Sequence, residues 1–303
     1  MKLTIGIPVY NGEKFIEQTI NSVLNASFNW NDVEIIVSDN NSSDATCEIV
    51  NKYPQIKLFT HSENKGYDYN VDRLFHYAKG NYVWILGADD VLTTTDLSEI
   101  IELVSSAVPV YSVIFVGESN SVYAGQPLDA NGFLIHTNFR SGFVSNNIIN
   151  RKMWLSTNTA PFIGSNWIHY AMVFMLIKKS SPVFTKNNYV CEIPESKNKT
   201  WTKNGKMLSI GLDLVGIIQL MPLWGYDKSI VRRTKLIIKG AYPKVIIISK
   251  VHGFRCDWKT LRRFINMYME YPSFWLVDIW AVLIPGIIYK GCYSIFNLFK
   301  FRS

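Results

Sequence analysis

The 303-residue sequence contains only four cysteines: Cys47, Cys191, Cys256 and Cys292. They lie far apart and form no CxxC pair, which argues against a zinc site or a disulfide framework and favours a reducing compartment. A zinc-finger spacing and an RNA-binding signature are both lacking. We therefore do not expect nucleic acid among the partners of this protein.

Long uninterrupted apolar runs are lacking as well. The N-terminal "KLTIGIPV" is short for a signal peptide and reads as a strand, so we expect a protein that faces the cytosol. The apolar stretch of residues 274–299 is interrupted by Asp278, Pro285 and Lys290, whereas a spanning helix needs about 20 largely uninterrupted apolar residues. We expect an interfacial or re-entrant membrane contact there; a spanning helix and a docked core helix are the alternatives.

Charge is unevenly distributed along the chain. The formal net charge is +7, and much of this excess lies after residue 230, where basic and apolar residues alternate. Such a region suits an anionic membrane surface. We expect residues 206–303 to form a C-terminal helical region that associates with the membrane.

The first hundred residues alternate between two patterns. Short apolar stretches that begin at Leu3, Val33, Ile56 and Tyr82 read as strands, and segments with helical spacing separate them. This alternation predicts an α/β fold with a mostly parallel, Rossmann-like sheet and helices on its faces. Ligands bind such sheets outside the carboxyl ends of the strands.

That rule brings four polar loops to one edge of the predicted sheet: residues 8–11, 39–41, 61–66 and 87–90. Each loop directly follows one of the four predicted strands. The sequence therefore predicts a ligand site at this edge.

The carboxylates in these loops allow two interpretations. Asp39 can accept a hydrogen bond from the imide N–H of uracil or thymine, but an Asp at this position can also cap a turn or helix. Asp89 and Asp90 are adjacent hard oxygen ligands of the kind that suit Mg²⁺ or Mn²⁺ bound to phosphate oxygens, or they can cap the following helix.

Four motifs occur in a fixed order: "IPVYNGEKFIEQTINSVL", "IIVSDNNSSDAT", "ENKG" and "AKGNYVWILGADD". In order and spacing they resemble the nucleotide-binding half of the inverting glycosyltransferases of family 2, which have the GT-A fold. The details are most similar to the bacterial O-antigen subgroup that includes abequosyltransferase-like enzymes. The resemblance implies a nucleotide-sugar-binding half at residues 1–105 and an acceptor-binding half at residues 106–205.

The resemblance also implies roles for individual side chains. Asp39 would recognise the base, Asp89 would contact the diphosphate, and Asp89 and Asp90 would hold Mg²⁺ or Mn²⁺. The implied nucleotide-sugar site as a whole consists of Pro8, Tyr10, Asn11, Asp39, Asn41, Asn70 and Asp89.

The sequence departs from the family pattern in three places. The usual Asp-Asp-Gly-Ser loop is residues 39–42, Asp-Asn-Asn-Ser, and the first acid of the usual Asp-x-Asp motif is Gly87. The common Glu-Asp catalytic pair is absent, and its positions fall on His169 and Tyr170. We expect His169 to be the base, because imidazole can accept a proton near neutral pH. The competing candidates are Glu192, Glu195, Asp213 and Asp90.

The resemblance implies an inverting glycosyltransferase that acts in bacterial O-antigen or capsule synthesis. It would move a sugar from a nucleotide sugar to a hydroxyl of a lipid-diphosphate-linked oligosaccharide, as a peripheral protein on the cytoplasmic face of the inner membrane. The alternative is a catalytically inactive, nucleotide-binding scaffold subunit of a polysaccharide assembly complex. A nucleotidyltransferase usually needs a Gly-rich, basic loop near the first strand, which this sequence lacks.

Overall fold

The computed structural model describes residues 1–119, 121–137, 140–198 and 206–291. The chain divides into two compact units, Met1–Lys197 and Asn198–Ser303. Each unit has its own cluster of buried apolar side chains. The boundary predicted between residues 205 and 206 adjoins a stretch that lies outside the described residues.

The first unit contains strands and helices in alternation. Its strands are β1 (Leu3–Val9), β2 (Val33–Asp39), β3 (Lys57–Thr60), β4 (Tyr82–Ile85), β5 (Asp90–Leu92), β6 (Val113–Phe115), β7 (Asn147–Asn150), β8 (Val183–Phe184) and β9 (Val190–Glu192). Its helices are α1 (Ile16–Leu24), α2 (Thr46–Val50), α3 (Tyr67–Tyr77), α4 (Ser98–Ser105), α5 (Ala130–His136), α6 (Arg151–Leu155) and α7 (Ile168–Ile177).

Seven of the strands form one sheet in the order β3-β2-β1-β4-β7-β6-β8. Strands β1 to β4 are mutually parallel, and β7 is antiparallel to both of its neighbours. The predicted α/β fold with a mostly parallel sheet and flanking helices is confirmed. The carboxyl ends of β1, β2 and β4 therefore lie side by side.

Burial explains why the strands read as continuous apolar runs. The consecutive residues Ile35, Ile36 and Val37 of β2, whose side chains alternate between the two faces, are all at most 1% exposed, because helices cover both faces of a parallel sheet. Helix α7 is apolar on all sides, and all of its residues except Met175 are buried. Such a helix belongs in a core rather than on a surface.

The segment of residues 181–193, "SPVFTKNNYVCEI", reads as one strand in the sequence, but the structure differs. It forms two short strands in different sheets, because β8 pairs with β6 and β9 pairs with β5. A turn separates the two strands, in which Thr185 Oγ1 donates to the carbonyl of Asn187 at 2.8 Å and Thr93 Oγ1 donates to that of Asn188 at 2.6 Å. This turn redirects the chain towards β5.

The second unit is helical in its described part. It contains α8 (Lys206–Ile218), α9 (Lys228–Val251), α10 (Trp258–Tyr268) and α11 (Ile279–Leu283), with a π-helical turn at Phe274–Asp278. No helix within residues 1–291, as far as they are described, combines the length and the apolar composition that a membrane span requires. The last part of the predicted membrane contact, residues 292–299, lies outside the described residues.

Candidate active site

The loops that follow β1 and β2 are joined into one rim. Asn11 N donates to Ser42 Oγ at 2.8 Å, and Asn11 Oδ1 accepts a hydrogen bond from Ser43 N at 2.8 Å. Asn11 and Asn41 have φ angles of 51° and 64°, in the left-handed region that Asn adopts more readily than most residues. The rim is therefore fixed by hydrogen bonds, and both Asn11 and Asn41 are exposed on it.

Asn70 lies beneath this rim and fixes its two strands. Its Nδ2 donates to the carbonyl of Val9 at 3.3 Å and to that of Ser38 at 2.9 Å, and its Oδ1 accepts from Ser38 Oγ at 2.6 Å. His61 Nε2 lies 3.2 Å from the same oxygen. Asn70 is only 3% exposed, so the structure places it where it positions the ends of β1 and β2.

The residues predicted to surround the base lie at the ends of the same two strands. Asp39 is fully buried, and its carboxylate accepts a hydrogen bond from Ser42 N at 3.1 Å. This contact caps the turn after β2, which is one of the two roles that the sequence allowed for Asp39. Tyr10 is 51% exposed, and Pro8 is partly buried in β1. Base recognition by Asp39 stays a prediction.

Asp89 and Asp90 have different surroundings. Asp89 is partly exposed, whereas Asp90 is 2% exposed and accepts a hydrogen bond from Ser145 Oγ. Gly87 N in turn donates to Ser145 Oγ at 2.8 Å. A Cβ atom at position 87 would overlap Asp90 Oδ2 and lie 3.3 Å from Ser145 Oγ. Glycine at position 87 therefore leaves the space that the buried Asp90 carboxylate occupies.

Strand β9 brings a further carboxylate to this loop. Asp90 of β5 lies directly opposite Glu192 of β9, and Ile193 N donates to the carbonyl of Asp89 at 3.0 Å. Residues directly opposite in an antiparallel pair share one face, with Cβ atoms about 5 Å apart. The partly exposed Glu192 therefore lies on the same face of the β5–β9 pair as Asp90.

His169 is buried near the start of α7, with 3% exposure. Its Nε2 lies 3.0 Å from the carbonyl of Gly142, so this nitrogen donates, and Nδ1 lies 3.1 Å from the hydroxyl of Tyr67. Burial lowers the pKa of His169 to about 4, so the ring is neutral near pH 7. In a neutral ring Nδ1 is the acceptor, and Tyr67 donates to it.

A family model described as "Glycosyl transferase family 2" matches residues 4–167, which is more than half of the chain. The chain belongs to glycosyl transferase family 2. It is therefore a glycosyltransferase that uses a nucleotide sugar, as the resemblance of the four motifs implied.

Several known proteins are similar to this glycosyltransferase. Abequosyltransferase RfbV of Salmonella typhimurium is 24% identical over 285 residues, which cover 82% of this chain and 80% of RfbV. The GalNAc(5)-diNAcBac-PP-undecaprenol beta-1,3-glucosyltransferase of Campylobacter jejuni is 35% identical over 106 residues, 33% of this chain and 34% of that protein.

A solved structure shares the fold. The mannosyltransferase PcManGT from Pyrobaculum calidifontis, in complex with GDP-Man and Mn²⁺, has a TM-score of 0.60 at 14% identity. The match covers 95% of this chain and 86% of that chain. It identifies the fold of this glycosyltransferase as GT-A.

Two supporting residues of this glycosyltransferase were not identified from the sequence. Ser145 carries no local sequence signal, and only the tertiary fold brings it to Gly87 and Asp90. Asp68 accepts hydrogen bonds from Asn166 N at 2.7 Å and Ile168 N at 3.0 Å. Asp68 thereby holds the loop that leads to His169, and its position two residues after the "NKG" turn was a possible signal.

A divalent cation at the Asp89–Asp90 loop would need ligands from the substrate as well as from the protein. No group of three or more His, Cys, Asp or Glu side chains that could hold a metal ion occurs in the part of the chain that the structure describes. The partly exposed Asp89 would supply one hard oxygen ligand, and diphosphate oxygens are the further ligands that Mg²⁺ commonly takes from substrates. Asp90 was predicted as a second ligand. In the structure its carboxylate is buried and accepts a hydrogen bond from Ser145 Oγ.

Proposed function

We propose that this glycosyltransferase moves a sugar from a nucleotide sugar to a hydroxyl of a lipid-diphosphate-linked oligosaccharide, in the synthesis of a bacterial O-antigen or capsule. The observation that carries the proposal is the partly exposed Asp89 beside the fixed rim formed by the loops after β1 and β2. The names of two relatives, an abequosyltransferase and a glucosyltransferase with an undecaprenol-linked acceptor, support this choice of substrates.

The nucleotide would bind along the rim. The exposed ring of Tyr10 would stack on the base, and the partly buried Pro8 would lie beside it. Asp39 would exchange its contact with Ser42 N for the imide N–H of the base, which is a donor of the same kind. Asn11 and Asn41 would face the ribose and phosphates, and Asn70 would keep both strand ends in place.

The diphosphate would lie at Asp89. Asp89 would hold Mg²⁺ or Mn²⁺ together with diphosphate oxygens, and such an ion neutralises the charge that develops on a diphosphate leaving group. Asp90 would support the loop from beneath through Ser145. The buried, hydrogen-bonded Asp90 carboxylate would hold the loop in place, so that the Asp89 carboxylate would point consistently towards the metal ion.

Sugar transfer with inversion, as in the family, is a single displacement in which the acceptor hydroxyl must lose its proton. We propose that Glu192 accepts this proton, because its partly exposed carboxylate adjoins the Asp89–Asp90 loop. His169 would act as a positioning residue, since both of its ring nitrogens already make hydrogen bonds to Gly142 and Tyr67.

The acceptor would be reached at the membrane surface. The enzyme would be a peripheral protein on the cytoplasmic face of the inner membrane, held there through its C-terminal unit. The membrane contact follows from the proposed acceptor, because a polyprenyl-type lipid would confine the growing oligosaccharide to the bilayer.

Release of nucleoside diphosphate tests the proposal. The purified full chain is incubated with a panel of UDP-, dTDP-, GDP- and CDP-sugars, with Mn²⁺ and membranes that contain lipid-linked oligosaccharide. We expect one donor to be consumed, and Asp89→Asn to lower the rate at least about 100-fold, a loss comparable to that from removing one electrostatic contact to the leaving group. Glu102→Gln, which changes an exposed carboxylate on α4, should leave the rate unchanged. Tight binding of a nucleotide without any turnover would instead support the scaffold alternative.

A further inference from the structure

The C-terminal unit presents a continuous stretch of exposed apolar side chains. Between residues 275 and 288, seven large apolar residues are exposed. The indoles of Trp275 and Trp280 are 48% and 54% exposed, and the most exposed aliphatic residues, Leu276 and Ile287, reach 76% and 78%. We call these exposed side chains of residues 275–288 the apolar edge.

Two buried lysines of α9 fix the backbone that carries the apolar edge. Lys239 forms an ion pair with Asp278, which is 2% exposed. Lys250 donates hydrogen bonds to the carbonyls of Val282 and Ile284, at the end of α11. The inward side of the same stretch, which includes Ile279 and Val282, belongs to the core of the unit. The apolar edge is therefore the outer surface of a folded element.

The same unit carries most of the positive charge. Residues 198–303 contain 17 of the 31 Lys and Arg residues but only 5 of the 24 Asp and Glu residues. The first 197 residues consequently have a net negative charge, although the whole chain is at +7. A partner of the C-terminal unit should therefore be both apolar and anionic.

Exposed basic side chains accompany apolar ones in the shallow grooves of this unit. One groove of about 600 Å³ is lined by Lys228, Arg232, Arg233 and the exposed Leu236 and Ile237 of α9. A second groove, of about 550 Å³, includes Lys259, Arg262 and Trp258, which is 72% exposed. Indole rings and basic side chains are typical of surfaces at the lipid headgroup level.

We propose that the apolar edge inserts into the interface of an anionic bilayer and that the exposed lysines and arginines of the same unit bind its lipid phosphates. This inference deepens the proposed function, on which it rests, by naming the lipid charge class and the residues of the membrane contact. A neutral protein surface would match the apolar side chains but not the excess of positive charge.

Sedimentation of the full chain with vesicles tests this inference. The protein should sediment with vesicles that contain phosphatidylglycerol and much less with vesicles of pure phosphatidylcholine, and rising salt should release it because headgroup attraction is screened. The double variant Leu276→Glu with Ile287→Glu should bind phosphatidylglycerol vesicles at least tenfold more weakly. Leu223→Glu, at a residue of the same unit that is 79% exposed and lies outside the edge, is the matched control and should bind like the wild type.

Three results would overturn the inference. The double variant could bind like the wild type, or Leu223→Glu could lose binding equally, or the wild type could ignore the vesicles and form a dimer that the double variant disrupts. The vesicle assay needs no nucleotide sugar, so failed transfer with intact vesicle binding would count against the proposed function alone. Conversely, normal nucleotide binding with no vesicle binding would count against the apolar edge alone.

Discussion

Glu192 and His169 compete for the role of proton acceptor, and their surroundings favour different roles. Glu192 is partly exposed beside the Asp89–Asp90 loop, whereas His169 is enclosed between Gly142 and Tyr67. A base must be able to approach the proton that it removes. His169 could meet the acceptor only by giving up one of its two hydrogen bonds.

We predict that Glu192→Gln lowers the turnover number about 100-fold or more, the usual contribution of a general base, while the donor dissociation constant hardly changes. His169→Gln should have a smaller effect on turnover, about tenfold, because the glutamine can keep one of the two hydrogen bonds. Steady-state kinetics and donor titrations of both variants provide the measurement. Glu102→Gln, at an exposed residue of α4 that is not a candidate for the base, is the control.

The opposite ranking would restore the hypothesis drawn from the sequence. If His169→Gln removes turnover and leaves donor binding intact, while Glu192→Gln remains active, then His169 is the base.

At this scale the sequence could identify residue types but not their burial. The adjacent carboxylates of Asp89 and Asp90 read as an equivalent pair. Only the fold shows that β5 begins at Asp90. The side chain of Asp90 accepts a hydrogen bond from Ser145, a residue 55 positions away in the sequence. Similarly, Gly87 stands where the family usually has an acid. In the structure, the Asp90 carboxylate occupies the space that a side chain at position 87 would need.

Among the secondary-structure elements, β2 is tied to its neighbours at the end of the sheet opposite the site. Glu34 of β2 accepts hydrogen bonds from Thr4 Oγ1 at 2.7 Å, from Lys57 Nζ at 2.9 Å and from Lys79 N at 2.6 Å. These contacts join β1, β3 and the segment before β4. Burial raises the pKa of Glu34, but the hydrogen bonds and the charge of Lys57 outweigh it, and the pKa lies below the ordinary value of 4.5.

We predict that Glu34→Gln lowers the free energy of unfolding by about 2 kcal/mol at pH 7, the range for hydrogen bonds to a charged group. Because the folded-state pKa is lowered, this contribution is present above pH 4.5 and is lost as the pH falls through the folded-state value. The difference between wild type and variant should therefore shrink as the pH falls below 4.5. Urea denaturation followed by circular dichroism measures it, with the exposed Glu48→Gln as control. A difference that is independent of pH would contradict this account of Glu34.

The elements themselves were largely predictable where periodicity is strong. The strand beginning at Leu3 ends at Val9 as its apolar run indicates, and the helix of residues 168–177 follows from its continuous apolar composition. Residues 181–193 were not predictable as two strands. Their partners, β6 and β5, are set by the tertiary fold, and the turn at Thr185–Asn188 is stabilised by Thr93 from a distant part of the chain.

At the scale of the whole molecule, the candidate active site and the proposed membrane contact lie in different units of the chain. The N-terminal unit contains the rim, the Asp89–Asp90 loop and the sheet that positions them, and the C-terminal unit contains the apolar edge and most of the positive charge. Composition alone indicated the basic, apolar character of residues 206–303. Which side chains are exposed could not be predicted, because buried Lys239 and Lys250 belong to the same basic pattern as the exposed lysines.

Calorimetric titration of the full chain with UDP, dTDP, GDP and CDP, with and without Mn²⁺, measures donor binding itself. We expect one of these nucleotides to bind, Mn²⁺ to strengthen its binding, and Asp89→Asn to remove the effect of the metal. Binding of none of the four nucleotides, in the presence of Mn²⁺ and with the protein folded, would contradict the donor site at the ends of β1, β2 and β4.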